Sequence, residues 1–432
     1  MRVLLAGGGG REAAIARRLA EDSEVCAVMP HENPGIRDAC AASGGEFMIG
    51  DPADPAAVAS FAREARAGLA FVSADQPLAN GVADALAAAG VPVAGATRGA
   101  SRIEWDKAYA AEMVAEVCPE ISPFHRIVRD GASLDRALAE FEGSGRQVVV
   151  KPQGLTGGKG VKVMPEHLGS YGECAAYARD LLAAGGSVLL VERLAGPEFT
   201  VMGFTDGTRL ELAPATYDYP YRLEGDRGPG TGGMGCLAGP DPDLPFMGPG
   251  DTEACRRAML AVLEECASRG HPFTGVINGG FFKTPSGLRF MEFNARLGDP
   301  EAINVLDVLE GSLAGVISGM AGGNLGRVQF ARRATVTKYL VPPEYPSRAP
   351  PREFTAGRMG GGAYLVTSSC TGGDGRYVAL GASRAAAVCA SAPSVGEASR
   401  IVEDAIQSGV GGQLEHRADI GTPAGMPRGA RA

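Results

Sequence analysis

The stretch Met291–Glu301, MEFNARLGDPE, sets an acid and an amide two residues apart at the end of an apolar run, then adds an arginine and a Gly-Asp-Pro turn. Side chains along a strand point alternately to opposite faces, so Glu292, Asn294 and Arg296 share one face while Met291, Phe293 and Ala295 share the other. One face is apolar, the other charged. Two readings compete: an edge strand with a solvated outer face, or a strand end that presents polar groups to a ligand. The surrounding chain has to separate them.

Immediately upstream, TGVINGGFFKTPSGLRF completes a β-hairpin with its turn at Thr284–Gly287. Farther back, QVVVKPQGLTGGKGVKV places Lys151 after three valines and before a glycine-rich loop. A lysine ending a buried strand is costly unless its ammonium meets an anion. The loop's backbone N–H groups and a second lysine, Lys159, offer a place for one. The loop is not a Walker A motif, because Gly160 follows Lys159 where Ser or Thr is required. A hairpin turn with solvated lysines is the alternative, and the valines before Lys151 favour nucleotide phosphates over it.

The chain begins MRVLLAGGGGREAAIARRLA, a short apolar strand, a glycine turn and an amphipathic helix. Further strand candidates, VCAVM, LAFVSAD and VPVAGA, alternate with Ala-rich helices up to about residue 100. This alternation predicts an open parallel sheet with a ligand at the carboxyl ends of its strands. G-x-G-x-x-G counted from Gly7 needs glycine at position 12, where Glu12 stands, so a nicotinamide dinucleotide site is disfavoured. Phosphate or sugar binding at a helix N-terminus remains.

From ASRIEWDKAYAAEMVAEV the pattern predicts one helix, and from SVLLVERLAGPEFTVMGFTDG a pair of strands. DYPYRLEGDRGPGTGGMGC reads as neither helix nor strand, and long irregular loops in folded domains usually carry function. The last hundred residues, with RATVTKYLV, GGAYLVTSS and the helix SVGEASRIVEDAIQS, read as a smaller β-rich domain, and GTPAGMPRGARA as a frayed tail.

At 432 residues the chain exceeds one ordinary core, so about three domains are expected. The 63 glycines and 29 prolines predict tight turns and loops that approach a ligand closely. With a formal net charge of −9 and scattered basic residues, a nucleic-acid surface is not expected. The nine cysteines form no C-x-x-C pair and are expected as buried, reduced thiols. No apolar run approaches the roughly 20 residues needed to span a bilayer, and the early glycines break any signal-peptide core. A soluble, unexported, cytoplasmic protein without membrane partners is expected.

With the lysine-glycine loop and MEFNARLGDPE together, the chain resembles the ATP-grasp superfamily. GGGGREAAIA, DQPLANG, KPQGLTGGKGVKV, GPGTGGMG, FTGV, EFNARLGDPE and HRADIG follow the order and rough spacing of its glycinamide ribonucleotide synthetase family, over nearly the whole chain. The resemblance implies an α/β, multidomain ATP-grasp fold: a Rossmann-like N-terminal domain at 1–100, an ATP-grasp domain at 101–330 with a small lid subdomain at about 115–195, and a β-rich domain at 331–432. It implies ATP-dependent joining of glycine to 5-phosphoribosylamine through a glycyl phosphate, in purine synthesis.

The same resemblance implies the site. Glu292 and Asn294 look like ligands of Mg²⁺ (or Mn²⁺), and oxygen donors suit such a cation. Lys107 and Lys151 resemble the lysines that reach the phosphates, with Gly154, Gly157, Gly158, Lys159 and Gly160 closing above them. Glu192 and Glu198 match acids that face the adenosine. Arg296, Asp299 and Lys151 are the candidate catalytic residues, Arg296 steadying the phosphoryl group. For the phosphoribosylamine side, the implied lining is Gly9, Gly10, Arg11 and Glu12 with Gly228, Pro229, Thr231, Gly232, Gly233, Met234 and Gly235. Gly298 joins that lining, and Asp218 and Asp299 are candidates to receive a substrate amine. Two departures bear on the amine substrate: Ala13 stands where the family usually has histidine, and Asp218-Tyr219-Pro220-Tyr221-Arg222 lacks the usual lysine and displaces its arginine. A related ligase joining another amine and carboxylate is the alternative, and oligomeric state, monomer or dimer, is left open.

Overall fold

A computed structural model describes residues 1–155 and 160–426. Its first sheet has five parallel strands in the order Phe47–Ile49, Glu24–Met29, Arg2–Ala6, Leu69–Phe71, Val93–Ala94. Val3, Leu4 and Leu5 are buried, as are Val25 to Met29, which is what helices on both faces of a parallel sheet require. The flanking helices are locally specified: Asn33 accepts from Gly35 N and Ile36 N to cap Pro34–Ser43, and Gly44 ends that helix in the left-handed region at φ 77°. Strand order reverses at Arg2–Ala6, so the crevice for a ligand opens beside the turn that follows it, Gly7–Gly10.

A nine-stranded sheet forms the centre. The hairpin of Gly275–Thr284 and Gly287–Asn294 lies at one edge, followed by Glu198–Thr205, Thr216–Asp218 and Gly235–Ala238. The sheet then continues through Ala334–Leu340, Ala386–Ala392 and Tyr364–Thr367. A boundary at residue 331 therefore falls just before strands that extend this sheet, while a separate four-stranded sheet gathers Arg352–Ala356, Cys370–Gly373, Arg376–Ala379 and Val410–Gly412. Another four-stranded sheet, His125–Val128, Val188–Glu192, Val148–Pro152 and Lys162–Val163, carries the helices Gly131–Gly143 and Tyr171–Ala183 over its own core of Leu134, Phe141, Val148, Val150 and Leu190.

The structure differs from the sequence reading in two local places. The single helix expected after residue 100 is two, Arg102–Trp105 and Lys107–Val117, because the Asp106 carboxylate accepts from Tyr109 N and starts a new helix. The segment read as irregular contains a short antiparallel hairpin, Tyr221–Leu223 with Arg227–Gly230. All nine cysteines are free and buried, and among the described residues no helix is long and apolar enough to cross a membrane.

Candidate functional site

From Glu292 onward the alternation holds: Phe293 and the following Ala295 are buried, while Glu292, Asn294 and Arg296 are half-buried on the other face. Met291, expected on the apolar face, is half-buried instead, because the register shifts between Phe290 and Glu292 where they pair with Phe281 and Gly280. Asn294 Nδ2 is 3.4 Å from Glu292 Oε1, and Asn294 Oδ1 accepts from Arg296 Nη2 at 3.2 Å. Both contacts are long, leaving the two oxygens capacity for a further partner. Lys151, near the end of Val148–Pro152, donates to Met291 O at 3.2 Å, which ties the valine strand to this face. Lys107 opens its helix and donates to Gly154 O at 2.6 Å. Burial pulls the Lys107 ammonium below its usual range, with Glu292 opposing and Lys151 reinforcing the shift. Gly157, Gly158 and Lys159 lie outside the described residues.

Glu198 begins the next-but-one strand and enters the same field. Burial, then Glu292 and Glu301, pushes its carboxyl up to about 7 against the opposing charge of Lys151. Glu192 is engaged elsewhere: its carboxylate accepts from Phe124 N at 2.9 Å and pairs with Arg146 at 3.2 Å.

Beyond Asn294 the chain leaves the strand and is held by groups from distant segments. Glu104 accepts from Ala295 N at 2.9 Å and pairs with Arg296 Nε at 3.0 Å, and Ser73 Oγ accepts from Leu297 N at 2.9 Å. Burial raises the Glu104 carboxyl despite Arg296. Arg11 donates to Leu297 O at 3.2 Å and pairs with Glu12 at 2.6 Å, while Glu12 also accepts from Gly9 N at 2.9 Å. Burial works against the Arg11 charge, but Glu12, Asp299 and Asp75 outweigh it. Ala13, where a histidine was expected from the resemblance, is buried beside them.

Asp299 is the meeting point of three segments. Its Oδ1 accepts from the Tyr339 hydroxyl at 2.5 Å, and its Oδ2 pairs with Arg384 Nη2 at 3.1 Å. Burial would raise this carboxyl, yet Arg384 and Arg11 hold it below the usual carboxylate range. Arg384 also donates through Nη1 to Gly233 O at 3.0 Å and to Gly232 O, joining the GPGTGGMG loop to the same cluster. Gly10 donates to Ser368 Oγ at 3.1 Å, and a methyl group on it would collide with the Tyr339 hydroxyl.

Asp218 ends Thr216–Asp218 with its Oδ1 buried and unpartnered. Burial, with Glu301 and Glu198 nearby, raises its carboxyl well above the usual range. Gly233, at φ 97°, passes so close that a Cβ would lie 2.6 Å from Asp218 Oδ1 and from Pro300 Cδ. Only glycine suits both the left-handed backbone and the approach. Gly298 likewise leaves room for the Glu301 carboxylate and lies close to Asn278. Thr231 Oγ1 accepts from Gly233 N at 3.1 Å and Met234 is buried, whereas Gly228 to Gly230 are exposed and Gly235 begins the next sheet strand.

Glu104, Asp75, Glu301, Tyr339 and Arg384 were not singled out from the sequence. Glu301 closes the stretch Met291–Glu301, and its place two residues after Asp299 was the available signal. Arg384 and Tyr339 reach the site only through the sheet, with no local signal.

A central antiparallel sheet flanked by a small four-stranded sheet, with lysines and a Glu-x-Asn pair between them, defines an ATP-grasp protein. Family models agree: the ATP-grasp (A) domain of phosphoribosylglycinamide synthetase matches residues 105–302, and the N domain of that synthetase matches residues 1–104. The phosphoribosylamine–glycine ligase of Methanoregula boonei is 39 % identical over 432 positions, covering 99 % of this chain and 98 % of the relative. That of Thermococcus kodakarensis is 39 % identical, covering 99 % and 97 %. The chain belongs to the phosphoribosylglycinamide synthetase family. Among solved structures, the phosphoribosylamine–glycine ligase of Thermotoga maritima superposes with a TM-score of 0.79 at 22 % identity, covering 97 % of this chain and all of the other. The biotin carboxylase domain of Hydrogenobacter thermophilus 2-oxoglutarate carboxylase, crystallised with MgADP, gives 0.73 at 16 % identity, covering 96 % and 91 %, a likeness of fold.

Proposed function

We infer that the chain catalyses the ATP-dependent ligation of glycine to 5-phosphoribosylamine, giving glycinamide ribonucleotide, ADP and phosphate in purine synthesis. The observation that carries this reading is that Met291–Glu301 bridges two sets of groups: Glu292 and Asn294 beside Lys107 and Lys151 at one end, Asp299 and Glu301 beside Arg11, Arg384 and Asp218 at the other.

In this account a glycine carboxylate oxygen attacks the γ-phosphorus of ATP and ADP leaves. The amine nitrogen then attacks the acyl carbon of glycyl phosphate, and inorganic phosphate leaves with the former carboxylate oxygen. Lys107 and Lys151 neutralise phosphate oxygens, and Arg296, held by Glu104, steadies the phosphoryl group in transfer. Glu292 and Asn294 would hold Mg²⁺, with Mn²⁺ as a substitute, which supplies further neutralisation of phosphate charge. Their oxygen donors and loosely engaged geometry fit such a cation. Asp299, kept ionised, and Asp218, buried with a free acceptor, receive the amines. The Gly9–Glu12 turn and the Gly228–Gly235 loop line the phosphoribosylamine side, with Gly298 beside them, and Glu198 with Glu192 belongs to the nucleotide side. Residues 115–195 act as the lid that excludes water from the acyl phosphate. The protein works in the cytoplasm on these small molecules.

ADP release tests the assignment: it should require both glycine and freshly made phosphoribosylamine. A second reading, ligation of another amine, draws on Ala13 and on Arg222, whose guanidinium is used up on Tyr345 O and Glu415. ADP release with some other amine and none with phosphoribosylamine would favour it.

A further inference from the structure

The C-terminal stretch Glu415–Gly421, EHRADIG, is absent from both sets of ligand groups, yet it grips the segment that leads into one of them. Arg417 is buried, and its Nη1 donates to Tyr221 O at 3.0 Å and to Asp226 Oδ1 at 2.9 Å. Its Nε and Nη2 form a fork onto Asp419 at 2.9 and 2.7 Å, and its guanidinium lies 5.0 Å from the centre of the Tyr219 ring. Asp419 accepts in turn from Gly225 N at 3.0 Å, Ala418 N donates to Glu224 at 3.2 Å, and Gly421 N donates to the Tyr219 hydroxyl at 3.3 Å. The grip is anchored from behind: Lys338, buried in the central sheet, donates to Ala418 O at 3.0 Å and to Glu403 at 2.8 Å, and Glu403 also meets His416 at 3.1 Å.

The gripped hairpin, Tyr221–Leu223 with Arg227–Gly230, is too short to persist unaided, and its second strand is exposed. Its turn residue Asp226 has φ 56°, a left-handed conformation that Asp adopts more readily than most residues. The loop that follows is fixed at its ends, by Thr231 N on Pro220 O at 2.7 Å and Met234 N on Tyr219 O at 2.8 Å. Its shape against Asp218 therefore depends on where Tyr219–Leu223 is held.

We propose that Arg417 is a positioning residue for the second substrate: its planar fork clamps the Tyr221–Gly230 hairpin so that Thr231–Gly235 keeps its place against Asp218. This rests on the reading that the Gly228–Gly235 loop lines the phosphoribosylamine site. A lysine can keep the charge at 417 but cannot reproduce contacts to a carbonyl and two carboxylates in one plane.

Three variants test it. Asp226→Asn keeps the size and the left-handed preference of the turn while removing its charge. Arg417→Lys keeps the charge and loses the fork, and Gly233→Ala disturbs the loop directly. In Asp226→Asn and Arg417→Lys the KM for phosphoribosylamine should rise about tenfold, with kcat and the KM for ATP within about twofold. Trypsin should cut faster after the exposed Arg227 in both, and the double variant should resemble Arg417→Lys alone, as members of one unit do. Unchanged KM for phosphoribosylamine in folded Asp226→Asn and Arg417→Lys, with a raised value in Gly233→Ala, would overturn the clamp and leave the loop reading standing. An unchanged value in Gly233→Ala as well would overturn both. If Arg417→Lys does not fold, Asp226→Asn decides by the same KM split and tryptic rate.

Discussion

Arg384 Nη2 lies 3.1 Å from Asp299 Oδ2, a buried ion pair between residues 85 positions apart that also ties down the Gly232 and Gly233 carbonyls. The pair keeps a carboxylate ionised where burial alone would protonate it, and an ionised acid is what a substrate ammonium needs.

Arg384→Met should therefore raise the Asp299 carboxyl and move the acid limb of the pH–activity profile to higher pH. The folded-state value of Asp299 is depressed, so its stabilising contribution is present above the unfolded value of about 3.9 and is lost as pH falls through the folded value. Leaving one partner of a buried pair costs about 3–5 kcal/mol. Urea unfolding should show that loss at pH 7 and a smaller one at pH 4. An equal loss at both pH values would mean that Arg384 acts through packing alone.

Glu198 behaves in the opposite sense. Its carboxyl is raised to about 7, so the folded protein keeps a proton that the unfolded chain gives up above about 4.3. Stability falls as pH rises through that window, and the deficit is complete above 7. Glu198→Gln should be neutral near pH 4 and stabilising by on the order of 2 kcal/mol at pH 8. A melting-temperature difference that does not change with pH would contradict this.

Glu292→Gln keeps the side chain's size and removes one charged oxygen. Turnover should drop by about two or more orders of magnitude with folding intact, the scale of losing several kcal/mol of charge stabilisation. Chelation of divalent metal should abolish turnover of the parent protein. Near-normal rates for Glu292→Gln at saturating Mg²⁺ would remove this residue from the metal site.

Gly10→Ala places a methyl group against the Tyr339 hydroxyl, so that hydroxyl must leave either Asp299 or its present position. The KM for phosphoribosylamine should rise by about tenfold or more while that for ATP stays put, because the proposed function puts only the former substrate against this turn. Equal rises in both would point to a general loosening of the interface between the first sheet and the central one.

What was legible in the sequence was what is local. The alternation of Glu292, Asn294 and Arg296 against Phe293 and Ala295 has a period of two and needs no distant partner, and the Thr284–Gly287 turn is written in its own residues. The parallel N-terminal sheet followed from apolar runs spaced by Ala-rich helices. The break at Asp106 was readable in principle, since aspartate before a helix is a cap signal, and was missed because both flanks favour helix. The hairpin at Tyr221–Gly230 was not readable: glycine and proline give it no intrinsic strand preference, and its partner Arg417 is nearly two hundred residues away. Arg384 and Tyr339 were invisible for the same reason, because the strand that carries Tyr339 and the strand that follows Arg384 join the central sheet through pairings no local pattern records. Lys151, Glu292 and Asn294 stand out by pattern and Lys107 by resemblance, and the structure adds which groups stand around them.

In the proposed reaction a glycine carboxylate oxygen leaves as part of inorganic phosphate. Glycine labelled with ¹⁸O in both carboxylate oxygens, incubated with ATP, Mg²⁺ and fresh phosphoribosylamine, tests it by mass spectrometry. Glycinamide ribonucleotide should retain one label, with phosphate carrying the other in equal amount. Unlabelled phosphate, or ADP formed without a glycyl product, would contradict it.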